Sequence, residues 1–364
     1  MSQWLAHVIE RAANVDDWLS PVRANALAEL KQKEWPGRRT EAWRYTSLHK
    51  VADLNLQAGS QASVEAPQVN GLNSIDLVFV DGRLTTDIAQ LQLPAGISIT
   101  ALDAKSEAAD ALFAKVKPAH HLFGLINDVL AQQGIVIDVA EGSQVEQPIR
   151  IVNVATDGVE SHQRTLVRVG KGARATIIEH GAGNEQSLNT VFAEYDIADN
   201  AKLEHYRLAL QEDQAIHVGG SHFRLHNESK LNSTLVGYGS QLTRLDVDIE
   251  HAGEHAFAKF NNIYLLAPHE HFDLHSTIEH AQPNGTTEEN ARGIIGDKAK
   301  AVFNGRIHIH RDAQKTLAEL NNRNLLLSRG AQINTKPELE IYADDVQCAH
   351  GATVAEIDEE ALYY

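Results

Sequence analysis

Trp4, Leu5, Val8, Ile9 and Ala12 recur on one helical face, so the chain opens with a helix. Ser20 followed by Pro21 reads as an N-cap and a first-turn proline. The stripe continues through Val22, Ala26, Leu27 and Leu30 and ends at Trp35-Pro36-Gly37. Between 57 and 69 the periodicity gives way to Gln, Ala, Ser and Pro, the composition of an exposed linker. A short strand is predicted from Leu77 to Val80, running into an Asp81-Gly82 turn, with a mixed or helical stretch to about Val129.

From Ile135 onward the pattern becomes short strands broken by small and polar turns. A loose corner motif recurs: a turn residue, a small residue, a polar one and an apolar one. It begins at Ala140, Gly170, Ala198, His226, Gly296 and Ser328, with a degenerate copy at His251. Copies lie roughly 25 to 32 residues apart, with one longer gap, which is the period of solenoid turns. The predicted fold is mainly β, a β-helix in which each coil tucks a small side chain into a tight corner. Alternate residues such as Ala175 and Ile177, or Leu203, His205 and Arg207, would stack on the coils above and below. An antiparallel sandwich or jelly roll is the alternative, and the repeated corner favours the solenoid. The expected parts are a helical and mixed region over 1–129, a β-helix core over 130–353, and the start of a C-terminal helical region over 354–364. Asp358 would cap that last helix, which stops after about one turn. Either a longer natural C terminus is missing or the stub docks onto a partner.

The chain has 364 residues, of which 43% are hydrophobic, so it can bury a large core. Its net charge of -17 repels phosphate backbones and anionic bilayers, which argues against nucleic acid and membrane partners. There is no signal-like start and no apolar run long enough to span a bilayer. A single cysteine, Cys348, precludes an intrachain disulfide. These features point to the cytoplasm.

Neither a Walker-type loop nor a dinucleotide fingerprint is present, so ATP hydrolysis is not expected of this chain. The sharpest constellation is Cys348-Ala349-His350-Gly351. In an extended segment the thiol and imidazole share a face, and an imidazolium would lower the thiol pKa from about 8.5, favouring the thiolate that binds soft metals. Two ligands cannot close a four-coordinate site, so further groups must come from elsewhere or from a second subunit. A second cluster contains His251, His255, His269, His271, His275, His280, His308 and His310. His269-x-His271 and His308-x-His310 read as same-face strand pairs suited to iron or zinc, with surface ladder residues as the plainer reading. Asp246, Asp248 and Glu250 also share a face. They, or the Asp344-Asp345 pair, would serve a β-helical carbohydrate-active enzyme, although such a row is more often a solvated outer wall. A homodimeric metal-binding protein using the histidine pairs is the third reading, and a homodimer stays open for the isolated chain.

Three segments carry a resemblance: Arg38-Arg39-Thr40-Glu41-Ala42-Trp43-Arg44-Tyr45-Thr46, Val78-Phe79-Val80-Asp81-Gly82, and the stretch from Asp344 to Val354 that contains Cys348-Ala349-His350-Gly351-Ala352-Thr353, followed by Asp358-Glu359-Glu360-Ala361-Leu362. Over nearly its whole length the chain resembles the SufB/SufD family of scaffold subunits in SUF iron–sulfur cluster assembly, and its cysteine-poor composition sides with SufD. The resemblance implies a right-handed parallel β-helix between helical termini and a non-catalytic scaffold. It also implies pairing with SufB and recruitment of the ATPase SufC, with nascent cluster or iron held transiently at the SufB interface. His350 matches the family's proposed iron or cluster ligand; Cys348 matches a neighbouring cysteine of less settled role. Flavin binding is left undetermined. The helices that engage SufC would begin near Asp358, so the short C terminus puts that contact in question.

Overall fold

The computed structural model describes residues 2–60 and 62–356. The helix expected from Asp358 lies outside the described residues. Two parallel sheets run the length of the molecule, and the chain passes from one to the other in every coil. The first sheet is built by Gln133–Val139, Val159–Val169, Ser187–Ile197, Ala215–Leu225, Leu242–His251, His271–His280, Lys300–Ile309 and Gln332–Ile341. Alternating with these, Ile149–Val154, Arg174–Gly183, Lys202–Gln211, Lys230–Tyr238, Phe257–Leu266, Thr286–Ile295, Leu317–Leu326 and Gln347–Glu356 build the second. The fold is therefore a parallel β-solenoid, as expected, and not a sandwich.

The corners explain the repeat. At one edge a residue in the left-handed region recurs once per coil: Gly142, Gly172, Asn200, Glu228, His255, Asn284 and Lys315. Its N–H donates to the next coil, for example Asn200 to the Asn227 carbonyl at 2.8 Å and Asn284 to that of Gln314 at 2.9 Å. In six of these seven corners the residue that follows is small and buried: Ala173, Ala201, Ser229, Ala256, Gly285 and Thr316. The motif copies at Gly296 and Ser328 belong to the opposite edge, where the chain enters the first sheet. The long gap in the repeat is this change of edge. The first edge continues through Asn284-Gly285-Thr286 and Lys315-Thr316-Leu317, whose side chains hide the pattern.

Inside, residues stack in register columns. One column runs Ala175, Leu203, Leu231, Ala258, Thr287 and Ala318; the neighbouring one runs Ile177, His205, Ser233, Phe260, Glu289 and Leu320. All are buried. His205 and Arg207 turn inward as expected and both bond to the buried Glu179, at 2.9 and 3.0 Å.

The solenoid begins earlier than the sequence pattern indicated. Ile75–Val80 pairs in parallel with Ile149–Val154, and the Asp81-Gly82 turn returns the chain to Arg83–Leu84. Both turn residues have positive φ, at 52° and 77°, as a tight hairpin requires. Ile97–Ala101 covers the other sheet in antiparallel pairing. Within the expected linker, Gln57–Ala58 adds a short strand beside Val159–Glu160.

The first helix, Gln3–Ala12, buries Trp4, Leu5, Val8 and Ala12. The second is Ser20–Leu30; Ser20 is its first residue instead of its cap, and its Oγ accepts from the Asp17 N–H at 3.0 Å. These helices and Leu122–Leu130 pack on the outer face of the first sheet through Leu188, Phe192, Ile216, Val218 and Leu242.

Candidate functional site

Cys348 and His350 lie on the last described strand, Gln347–Glu356, at the edge of the second sheet. Cys348 pairs in register with Ala318, and His350 with Leu320. They therefore extend the two inner columns described above, side by side on one face. No described coil covers them, so Cys348 is half-buried and His350 exposed. Ile333, Leu339, Val346 and Cys348 pack on the end of the core. On the same two last strands Ile341 and Val354 stand exposed, by 42% and 48%. Just beneath, Asn322, Asn324 and Thr335 form a polar layer, with Thr335 Oγ1 donating to Asn322 Oδ1 at 2.8 Å.

The electrostatics correct one expectation. Burial pushes the Cys348 thiol up, and a backbone hydrogen bond at Ala318 offsets part of that rise. The imidazole two residues on does not activate it. The raised pKa keeps the thiol protonated at neutral pH.

The histidines divide three ways. His251 and His280 are core residues and not ladder residues of the surface. Their rings stack at 4.1 Å, and each Nε2 lies 3.0 Å from Thr287 Oγ1. Burial lowers both pKa values, that of His251 to about 4, so both are neutral. His255 and His269 occupy left-handed turn positions. His269 precedes the strand that begins at His271, so these two do not form a strand pair. His308 and His310 do share a face, with rings stacked at 4.4 Å.

Asp246 and Asp248 are not a solvated wall. They face outward from the first sheet but lie under the N-terminal segments. Arg244 binds Asp246 at 2.7 Å and Asp273 at 2.8 Å, while its guanidinium sits 4.5 Å from the Trp43 ring. Asp248 receives His121 and His222, each at 2.8 Å. Burial would raise the Asp248 pKa, yet those two imidazoles hold it far below the carboxylate range. Both carboxylates are thus already engaged by cationic or hydrogen-bonding side chains of this chain. A cleft of about 480 Å³ beside Glu41, Arg44 and Tyr45 reaches Asp273, His275 and Lys336. Asp273 is held there by Arg244, and Lys336 is paired with Glu41 and Glu338.

The sequence reading missed how the N-terminal region is fastened. Glu194, fully buried, accepts four backbone N–H groups from Ala114 to Lys117 at 2.7–2.9 Å. Lys117 and Arg164 both bind the buried Asp128. Burial and Arg164 lower the Lys117 pKa to about 7. Sequence pattern does not signal the longer-range links, because Arg164 lies 36 residues from Asp128 and Glu194 lies 80 from Ala114.

Fold and site together define a class: a two-sheet parallel β-solenoid whose last described coil presents a thiol and an imidazole. Residues 151–364 match the SUF system FeS cluster assembly, SufBD core domain, and residues 7–151 match the SufBD protein N-terminal region. The chain belongs to the SufBD family. It is 31% identical over 358 residues to the iron-sulfur cluster assembly protein SufD of Escherichia coli K12, covering 95% of this chain and 82% of that protein. An iron-sulfur cluster assembly SufBD family protein of Synechocystis is 26% identical, with 96% of this chain and 82% of the relative covered. The chloroplastic protein ABCI7 of Arabidopsis thaliana is 27% identical, with 98% and 81% covered. No helix among the described residues is long and apolar enough to cross a membrane.

Proposed function

We propose that this chain is a non-catalytic scaffold subunit of iron–sulfur cluster assembly, which docks its last described coil onto a SufB-type partner. Iron or the nascent cluster is the cargo, held transiently where the two subunits meet. His350 supplies one ligand, Cys348 stands beside it as a second, and the partner completes the coordination. A SufC-type ATPase supplies the energy that opens the interface.

The observation that carries this reading is the change in exposure along two continuous columns. Six successive residues in each are buried; the seventh is the half-buried Cys348 in one column and the exposed His350 in the other. A solenoid end normally needs a polar cap to stay soluble. Here the last described coil carries apolar side chains and, among the described residues, two strands with no outer partner, which another chain can extend by strand addition. Burial keeps Cys348 protonated in isolation, which suits a ligand recruited only when metal and partner arrive together.

Anaerobic co-purification from the native host, with mass-spectrometric identification of the partners, tests this reading. SufB- and SufC-type subunits are expected in one complex with the chain. A chain that elutes alone from freshly broken cells contradicts it.

A further inference from the structure

The outer face of the first sheet carries a column of charged residues with one break in it. Asp138, Arg168, Asp196, Arg224 and Glu250 alternate in sign from coil to coil. The pairs close: Arg168 meets Asp138 at 2.7 Å and Arg224 meets Glu250 at 3.0 Å. The next rung is Glu279, which lies in register with Glu250 on one side and His308 on the other. Two carboxylates directly opposite each other across a ladder repel. The nearby guanidinium offsets this only in part. Arg306 is bidentate to Glu340 at 2.9 and 2.8 Å and comes no nearer than 3.9 Å to Glu279.

Two imidazoles face Glu279 instead. His308 Nδ1 lies 3.6 Å from one carboxylate oxygen, and His310 Nε2 lies 3.3 Å from the other. His308 Nδ1 is shielded from solvent and has no hydrogen-bond partner among the described residues. The Tyr342 ring packs against His308 in a T-shaped contact, with centroids 5.4 Å apart and planes at 73°. The donor atoms of all three side chains lie within 4.8 Å of one another. Metal–ligand bonds of about 2.0–2.2 Å bring neighbouring ligand atoms to roughly 3 Å apart, so the 3.6 and 3.3 Å separations from Glu279 need a small contraction and the widest pair closes by up to about 1.8 Å.

We propose that Glu279, His308 and His310 bind a divalent first-row transition ion of the iron or zinc class. Two imidazoles and one carboxylate on one side of the ion leave the remaining positions to water, the arrangement suited to such ions rather than to calcium or magnesium. The ion relieves the carboxylate pair at Glu250 and Glu279 and occupies the unpartnered nitrogen of His308. All three ligands come from this chain, on the outer face of the first sheet. The site is therefore distinct from Cys348 and His350 and does not depend on the function proposed above.

Titration of the full chain with Co2+, followed by its visible absorption and by equilibrium dialysis, tests the proposal. Binding of about one ion per chain is expected at this site. Outer hydrogen-bond partners of metal ligands are already worth ~10–100-fold in affinity, so His308→Ala with His310→Ala is expected to weaken binding at least ~100-fold. Glu279→Gln keeps the shape of the side chain and decides the matter if the double variant fails to fold; at least ~10-fold weakening is expected. Cys348→Ser with His350→Ala is expected to retain the ion. Undiminished Co2+ binding in the folded histidine variant or in Glu279→Gln overturns the assignment. So does a wild-type chain that takes up no Co2+, or loss of the ion in the Cys348, His350 variant.

Discussion

Leu320 and His350 are register partners on adjacent strands, yet Leu320 is 2% exposed and His350 lies open to solvent. One coil separates a core position from a surface one. The same step separates Ala318 from Cys348. Cys348 and His350 thus keep the register spacing of the core without its cover.

Apolar residues ring this end, so a charge placed there is expected to disturb docking and not folding. Val354→Arg, at a position 48% exposed, is expected to change stability by no more than about 0.5 kcal/mol. Recovery of the partner in a quantitative pull-down is expected to fall at least ~10-fold, the cost of burying an unpaired charge in an interface core. Thermal melting run beside the pull-down separates the two effects.

The corner rule gives a stability prediction. Ala201 is fully buried immediately after the left-handed Asn200, with coils on both sides. Ala201→Leu is expected to destabilise by about 1–3 kcal/mol through overpacking. Glu228→Gly, at a φ of 56°, removes left-handed strain of about 1–2 kcal/mol but restores unfolded-state entropy. Its net effect is expected to be small and stabilising. Urea unfolding of both variants checks the contrast.

These corners were legible in the sequence because a left-handed residue followed by a small one leaves a local signature. Asn200-Ala201 shows it plainly; Lys315-Thr316 does not, since its turn residue is an ordinary lysine. The alternation that turns Leu203, His205 and Arg207 inward was equally readable. What lies over a sheet was not. Asp248 reads as part of a solvated row until His121, 127 residues earlier, is brought against it. His251 and His280 look like surface ladder residues because neutral, buried imidazole has the same letter as exposed imidazole. Glu279 escaped notice as a partner of His308 and His310 because it lies one coil upstream, a neighbour only through the strand register.

The interior of the solenoid holds a pH-sensitive group. Glu289 is buried, with Ser276 donating to it at 2.7 Å, and burial raises its pKa from 4.5 to about 7. The folded chain therefore holds this proton where the unfolded chain has released it. Its contribution to stability is greatest below pH 4.5 and declines as pH rises to about 7, by about 3 kcal/mol in all. Glu289→Gln is expected to remove that slope and to be more stable than wild type at pH 8. Denaturation at a series of pH values checks this.

Asp248 fastens the N-terminal region to the sheet. Burial lowers the His121 pKa, but Asp248 and Asp246 outweigh it and leave it raised. This contribution is present in full below pH 6.5, the ordinary histidine value, and is lost as pH climbs through the raised one. Asp248→Ala leaves His121 and His222 buried without their acceptor and is expected to cost about 3–5 kcal/mol. Limited proteolysis is expected to cut ahead of Leu122 sooner in the variant, and sooner in wild type as pH rises.

The central claim is that the uncovered end of the inner columns holds the cargo. Its most direct test is anaerobic reconstitution of the complete assembly with wild-type or His350→Ala chain, reading cluster absorbance and bound iron per complex. Unchanged melting and complex formation with a cluster yield lowered at least ~10-fold is the expected result. A full cluster yield from the His350→Ala complex would contradict the account.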